Sequence, residues 1–365
     1  MPVANPHNAA NYTIEELVDY SVAAFDSMGK YDVPEGIVPT RTSVKDQGTY
    51  RVYDSEAFKS NLFQSLSDNQ YAPSATWGHT TEPYIIQPQG LRDRVSDREL
   101  VNEEEALDLF KDTAMFLARN AIKGRNEAFA TAFLTAGEWG TDITGSDTAP
   151  SSGVLDVGAT EEFLQFNDEV SEPLAVLDEC MEVMQLTTEL RPDTLIIPRK
   201  VMTQLKRNPQ INQFGLQNPV GGIAGGEEYT VNVIAQYTGL EASRIFVIDA
   251  VVNNQTTTIT NATTAELEDG YTGKKIAQGS ENMEWVCEKN MLLMHVGDAS
   301  LGLRSMSACA EFVWSGLYPQ GERGNFKIKT RYDEDGEFTW VEARHAFKYQ
   351  ITAPKLGILL VDCIA

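Results

Sequence analysis

Residues 191–211 read RPDTLIIPRKVMTQLKRNPQI, a turn, a short apolar strand and a helix in immediate succession. Pro192 and Asp193 suit the turn, Thr194 to Ile197 are β-branched or apolar and suit a buried strand, and Pro198 has the fixed φ of a first helical turn. Val201, Met202 and Leu205 recur on one helical face, and Asn208-Pro209 stops the helix. In enzymes such strand-to-helix turns display a nucleophile, a metal ligand or a glycine-rich phosphate cradle. This one displays Pro198, Arg199 and Lys200, so it reads as a packing unit.

The same alternation extends to either side: helix 171–188, strand 194–197, helix 198–207, a glycine-rich loop, helix 230–238 closed by Gly239, and strand 244–248. That order predicts an α/β or α+β layer. Before it, a loop rich in Gly, Ser, Thr and Asp at 140–153 marks a boundary. Upstream of the loop lies the longest regular pattern of the chain, predicted as a helix over about 103–135, roughly 50 Å at 1.5 Å per residue. Asn102 with Glu105 matches a capping box, Gly137 is placed to end the helix, and Leu107, Phe110, Ala114, Leu117 and Ala121 form one apolar stripe.

The two ends of the chain differ from this middle. Residues 1–45 read as an extended arm with one short helix, Thr13 to Met28, whose few apolar side chains need a partner surface. TYRVYD (49–54) alternates as a half-buried strand, and a second strand-like piece lies at Pro83 to Gln87. The polar, proline-punctuated stretch between them carries too little apolar surface to support a long hairpin alone. The last eighty residues are strand-rich: 325–332 and 337–352 flank a hairpin turn at Asp335-Gly336, and Leu356 to Val361 reads as a final buried strand.

Composition narrows the function. With 42% hydrophobic and 22% charged residues the chain is ordinary globular protein, but 29 Lys and Arg against 53 Asp and Glu give a net charge of −24. A broad phosphate-neutralising surface is therefore not expected. The MPVANPHNAANYT start has neither a basic nor an apolar core, so no signal peptide is expected, and no run reaches membrane-spanning length. Cys180, Cys287, Cys309 and Cys363 lack any CxxC spacing and read as buried thiols.

No motif carries chemistry. GGIAGG (221–226) lacks GxGxxG spacing and the GK[ST] of a P-loop, and reads as a surface loop. His7, His79, His295 and His345 share no metal spacing; the last two sit in strands and read as structural. Asp333, Glu334 and Asp335 lack the spaced ligands of a calcium loop. Met181, Met184, Met202, Met291 and Met294 read as core. No catalytic residue, cofactor or metal is expected.

An arm, a polar hairpin, an oversized helix and no active site suit a shell subunit, and the residues bear this out as a resemblance. TYRVYDSEAF (49–58), the helix near 103–135, EWGTD (138–142), RPDTLIIPRKVMTQLKRNPQI, IAQYTGLEASRIFVIDAVVN (234–253) and EFTWVEARHAFKYQITAPKLGILLVDCIA (337–365) together resemble tailed-bacteriophage major capsid proteins of the Hong Kong 97-like fold. The resemblance implies an α+β fold with an N-terminal arm (1–47), an extended loop (48–101), a spine helix (102–142), an axial domain (143–320), peripheral strands (321–353) and a closing axial strand (354–365). It also implies self-assembly into pentamers and hexamers of an icosahedral shell, built in the host cytoplasm around viral double-stranded DNA without sequence-specific binding. A separate scaffolding protein, a portal and decoration proteins are the implied partners. Phe63, Tyr71, Trp77, His79 and Tyr84 of the extended loop are the expected inter-subunit contacts. Some relatives join subunits by a Lys–Asn isopeptide; Lys59 is the one lysine between Gly48 and Val101, so no covalent joining is expected. The alternatives are a nanocompartment shell of the same fold and a soluble acidic α/β enzyme.

Overall fold

The structure, a computed structural model, describes residues 33, 36–53, 63, 65–66, 71–72, 74, 79–102, 106–150, 154–156, 161–218, 221–223, 225–253, 257–258, 274–275, 282–297, 307–316 and 327–365. The arm helix at 13–28, Glu105 of the capping box, Lys59 and Trp77 lie outside these residues.

Two sheets organise the chain. The larger has seven strands in the order Leu155–Asp156, Glu162–Leu164, Thr141–Ser146, Gly357–Val361, Met291–Met294, Thr194–Pro198 and Ile245–Ile248. Its central strands are apolar at nearly every position because both faces are covered. Leu195, Ile197, Leu293 and Ile358 pack on one face against helices Pro173–Thr188, Arg199–Leu205, Pro209–Gln217 and Glu227–Thr238. Ile196, Leu292, Met294 and Leu359 pack on the other, against Phe129 and Phe133 of the long helix and Ile37 and Val38 of the N-terminal segment. The strand-then-helix reading of residues 191–211 therefore holds.

Its stop signal does more than stop. Asn208 caps a new helix, Pro209–Gln217, accepting from the Gln210 N–H at 2.9 Å while its amide donates to Ser171. The sequence pattern had hidden this helix because Asn-Pro terminates one helix and begins the next with equal ease.

The second sheet centres on the 14-residue strand Phe338–Ile351. Residues 338–344 pair with Lys327–Asp333, residues 338–346 with Pro88–Ser96, and residues 347–351 with Cys309–Trp314, which in turn pairs in parallel with Thr40–Ser43. Cys309–Trp314, expected within the axial domain (143–320), thus pairs with residues 347–351, expected among the peripheral strands (321–353). The hairpin turn also differs: the left-handed residue is Glu337, at φ 50, and not Gly336. Four residues separate the paired Asp333 and Phe338, so the chain uses a longer loop than an Asp-Gly turn requires.

The long helix runs Ala106–Phe133, 28 residues and about 42 Å. A six-residue helix, Asp97–Asn102, precedes it, and the expected capping box falls on side chains outside the described ones. The helix also stops before Gly137, which instead takes φ 91 in the following turn and donates to Asp142 at 2.5 Å. From Phe110 onward the apolar stripe holds: Phe110, Ala114, Leu117 and Ala118 are buried against Val95, Ile328, Val341 and Ala343 of the second sheet, with Ala121 packed beside them, and the Leu107 side chain lies outside the described ones.

One glycine joins the two halves. Trp139 donates its indole N–H to Phe133 O at 2.7 Å and lies over Gly357, where a Cβ would sit 2.2 Å from the ring. Any side chain there would displace the indole.

All four cysteines are buried and free, and burial pushes each thiol up, Cys287 and Cys363 to about 12. Such thiols stay protonated and inert at neutral pH.

The helix phase yields a stability test. Leu117 is fully buried, whereas the adjacent Phe116 is 51% exposed. Leu117→Ala is expected to cost about 2–4 kcal/mol in a denaturant titration of the subunit, and Phe116→Ala less than about 0.5 kcal/mol. Equal costs would mean that the helix face is misassigned.

Candidate assembly interface

Strands Gln47–Tyr53 and His79–Ile85 pair antiparallel, from Gln47 opposite Ile85 to Tyr53 opposite His79. They form a two-stranded finger with no second layer: from His79 to Ile85 only Tyr84 is buried. Tyr84 is 9% exposed and stacks on Phe312 at 4.2 Å. Gly48 lies so close beneath it that a Cβ would meet the Tyr84 hydroxyl at 2.5 Å. Tyr50 adds a hydrogen bond from its hydroxyl to Ile351 O at 3.3 Å, and the Ile86 N–H donates to Asp46 O at 2.7 Å.

These contacts sort the expected inter-subunit residues. Phe63 and Tyr71 are 95% and 96% exposed, and His79 is exposed at the far end of the paired strands. Tyr84 is buried, with its ring at the base of the finger inside its own chain. Trp77 lies outside the described residues.

A polar cluster anchors the strands from which the finger leaves. Arg125 of the long helix pairs with Glu311 at 2.7 Å, and the Thr40 hydroxyl donates to the other Glu311 oxygen at 3.1 Å. The Arg125 guanidinium also lies 5.3 Å from the Phe347 ring centroid. Glu311 is buried, so its charge depends on these partners. Next to the cluster, a ring nitrogen of His345 meets Gln89 Oε1 at 2.9 Å. Burial, and then the Arg125 charge, push this imidazole down to about 4. Sequence reading missed Glu311 and Arg125; the signal was a lone carboxylate in the otherwise apolar CAEFVW.

The turn at Pro198 has a similar explanation. Arg199 pairs with Asp249 and Glu227, Lys206 reaches Glu227 at 3.3 Å, and Lys200 reaches Glu288 at 2.8 Å. Hydrogen bonding to Asp249 is the main reason the Arg199 guanidinium is raised further above its already high range. Arg199 ties together the ends of two parallel strands and the start of helix Glu227–Thr238. GGIAGG leads into that helix, but Glu227 and Glu228 fill its first turn, which opposes any phosphate there. His295 receives a structural role too, its Nδ1 lying 2.8 Å from Arg191 O. Among the described residues no group of His, Cys, Asp and Glu could hold a metal ion.

A finger that leaves its own core and a long helix packed on a sheet are what an assembling subunit presents. A family model described as phage capsid protein matches residues 80–351. The chain belongs to that family. It is a structural capsid protein, not an enzyme, and its place is the virion shell. A phage-related protein from Bordetella bronchiseptica RB50 is similar in structure with TM-score 0.61 at 15% identity, over 95% of this chain and 97% of that one. A virus-like particle from Pyrococcus furiosus is similar with TM-score 0.51 at 11% identity, over 95% and 98%. At these identities the likeness concerns the fold, and the expected α+β capsid fold is the one present. A search of the curated proteins finds no match. No helix among the described residues is long and apolar enough to cross a membrane.

His345 gives the capsid protein a defined acid sensitivity. Unfolded, the imidazole takes a proton near pH 6.5; folded, it resists until about pH 4. Between these values the unfolded chain binds more protons, so stability is intact above about pH 6.5 and falls as the pH approaches 4. Between pH 7 and 4.5, urea titrations are expected to show the wild type losing about 2–3 kcal/mol more than His345→Gln. Parallel losses would place the imidazole in solvent.

Proposed function

We propose that this capsid protein assembles as pentamers and hexamers of an icosahedral shell enclosing double-stranded DNA, with the finger formed around residues 48–101 reaching onto a neighbouring subunit. The supporting observation is the finger itself: its base is fixed by Tyr84, Tyr50 and Phe312, whereas Phe63, Tyr71 and Ile85 remain in solvent. An isolated two-stranded ribbon is marginal in water, and a neighbour supplies the missing layer. Head-to-tail contacts of this kind close into rings.

In this reading the seven-stranded sheet and its four helices form the axial part, and the long helix with strand Phe338–Ile351 forms the peripheral part. The net charge of −24 favours holding DNA by confinement and not by broad adhesion. Assembly takes place in the host cytoplasm with a separate scaffolding protein, and the completed shell carries a portal and decoration proteins.

Negative-stain electron microscopy of the full chain, alone and co-produced with its phage's scaffolding protein, tests the proposal. The expected result is closed shells for the wild type and folded small oligomers for a chain lacking residues 54–78. Shells of normal size from the deletion would overturn the role of the finger. Virions without nuclease-protected duplex DNA would overturn the genome-enclosing role and favour a nanocompartment. Mature shells are further expected to dissolve to monomer mass on denaturing gels; a ladder linked through Lys59 would overturn the non-covalent reading.

A further inference from the structure

The second sheet has one face buried and one face charged. The long helix covers Val95, Ile328, Val341 and Ala343. Side chains alternate along a strand, so the residues between these point the other way. The register places Arg94, Trp340 and Arg331 side by side, then Arg92, Glu342 and Lys329, then Arg344 and Lys327. The Arg92 guanidinium lies 4.0 Å from the Trp340 ring centroid, which confirms that strands Pro88–Ser96 and Phe338–Ile351 present these residues on the same side. Six cations thus share one sheet face, with Glu342 and, at its end, Asp333 as its carboxylates. Glu342 is held by Arg344.

This concentration is unexpected in a chain of net charge −24. No linear cluster announces it, because the cations come from three strands at alternate positions.

At the end of the same hairpin the charge reverses. The turn after Asp333 carries Glu334, Asp335 and Glu337, all exposed. Among the described residues, neither these carboxylates nor Lys329 and Arg331 form an ion pair. The acidic turn cannot reach the basic face of its own chain. Four residues suffice only to bridge the adjacent strands at Asp333 and Phe338, and they continue the plane of the sheet while the cations point out of it.

We propose that the basic face of the sheet receives the acidic turn 334–337 of a second copy of this chain. The inference rests on the shell-forming reading above, which places copies side by side, and adds a contact distinct from the finger. Charge complementarity selects the occupant: three carboxylates within four residues, on an exposed turn, facing a sheet face whose cations Lys329 and Arg331 form no ion pair among the described residues. Duplex DNA shares the negative charge, but the acid surplus of the whole chain opposes it, whereas a neighbouring copy brings its turn at high local concentration. The contact is heterologous, turn to face, so it propagates from copy to copy and can close into a ring. Trp340, flanked by Arg92, gives the face an apolar centre that excludes water from the ion pairs around it.

The test is a charge swap read on the full chain. Lys329→Glu with Arg331→Glu, and separately Glu334→Lys with Asp335→Lys, are each expected to lower shell yield at least tenfold while thermal unfolding stays that of the wild type. The chain carrying all four substitutions again presents complementary surfaces and is expected to recover most of the yield. Wild-type yield from either double variant, or no recovery in the fourfold variant when all unfold alike, would overturn the proposal. A second measurement is independent of shell formation. Carbodiimide crosslinking of mixed ¹⁴N and ¹⁵N protein is expected to join Lys329 of one copy to Glu334 or Asp335 of another, in any oligomer. Crosslinks from Lys327 and Lys329 confined to other segments would overturn it, as would salt-sensitive duplex-DNA binding that the Lys329→Glu, Arg331→Glu variant abolishes without any loss of assembly. Failure of the wild type to form shells, with the crosslink present, would instead count against the shell-forming reading alone.

Discussion

The strand Phe338–Ile351 has its backbone and one of its faces consumed within the chain, and the remaining architecture follows from that constraint. Along residues 338–344 both of its edges are paired, by Lys327–Asp333 and Pro88–Ser96, and residues 347–351 pair with Cys309–Trp314, so most of its backbone is withheld from pairing with other chains. Its inner face lies on Phe110, Ala114, Leu117 and Ala118 of the long helix. A helix of about 42 Å would be unusual on its own; here it packs against a strand that spans about 46 Å. Arg125 and Glu311 then lock the crossing, and the Thr40 hydroxyl adds the N-terminal segment to the same carboxylate.

With the sheet held this firmly, what leaves it is defined as well. The finger follows from Pro88–Ser96 through Ile86, which is buried beside Tyr84, Phe312 and Ala346. Beyond that small cluster its strands have solvent on both sides. A base fixed inside the chain, with His79 to Pro83 exposed beyond it, suits a subunit that completes its own burial on a neighbour, because the base is ordered before contact is made.

Much of this was legible in the sequence, and the failures have physical causes. Residues 191–211 showed their strand and helix through uninterrupted burial, and the long helix showed its stripe through 3.6-residue spacing. The helix Pro209–Gln217 escaped because Asn208-Pro209 terminates and caps equally well. The short helix Asp97–Asn102 escaped because six residues are too few to show a helical period. Tyr84 was read as a contact for neighbours because an aromatic residue in a polar strand looks exposed; only its pairing across Gly48 and its stacking on Phe312 reveal an inward ring. Arg125 and Glu311 lie 186 residues apart, a separation across which no local pattern carries information. The five expected contact residues follow from their place in the extended loop, whereas which of them stay exposed is decided by tertiary packing.

Charge is where the linear and folded views diverge most, and the divergence bears on how like-charged copies associate. A net charge of −24 predicts mutual repulsion if each subunit is treated as a uniform sphere. At physiological ionic strength, however, exposed charges more than about 8 Å apart are largely screened, so two copies respond mainly to the residues that meet. A surface that gathers Arg92, Arg94, Lys327, Lys329, Arg331 and Arg344 on one sheet face, and places Glu334, Asp335 and Glu337 at its end, is attractive locally while the whole remains acidic. Misaligned copies bring surplus carboxylates into contact with one another, and the sorted pattern rewards one alignment. An acidic chain with sorted cations therefore gains specificity from the same charge that opposes indiscriminate association.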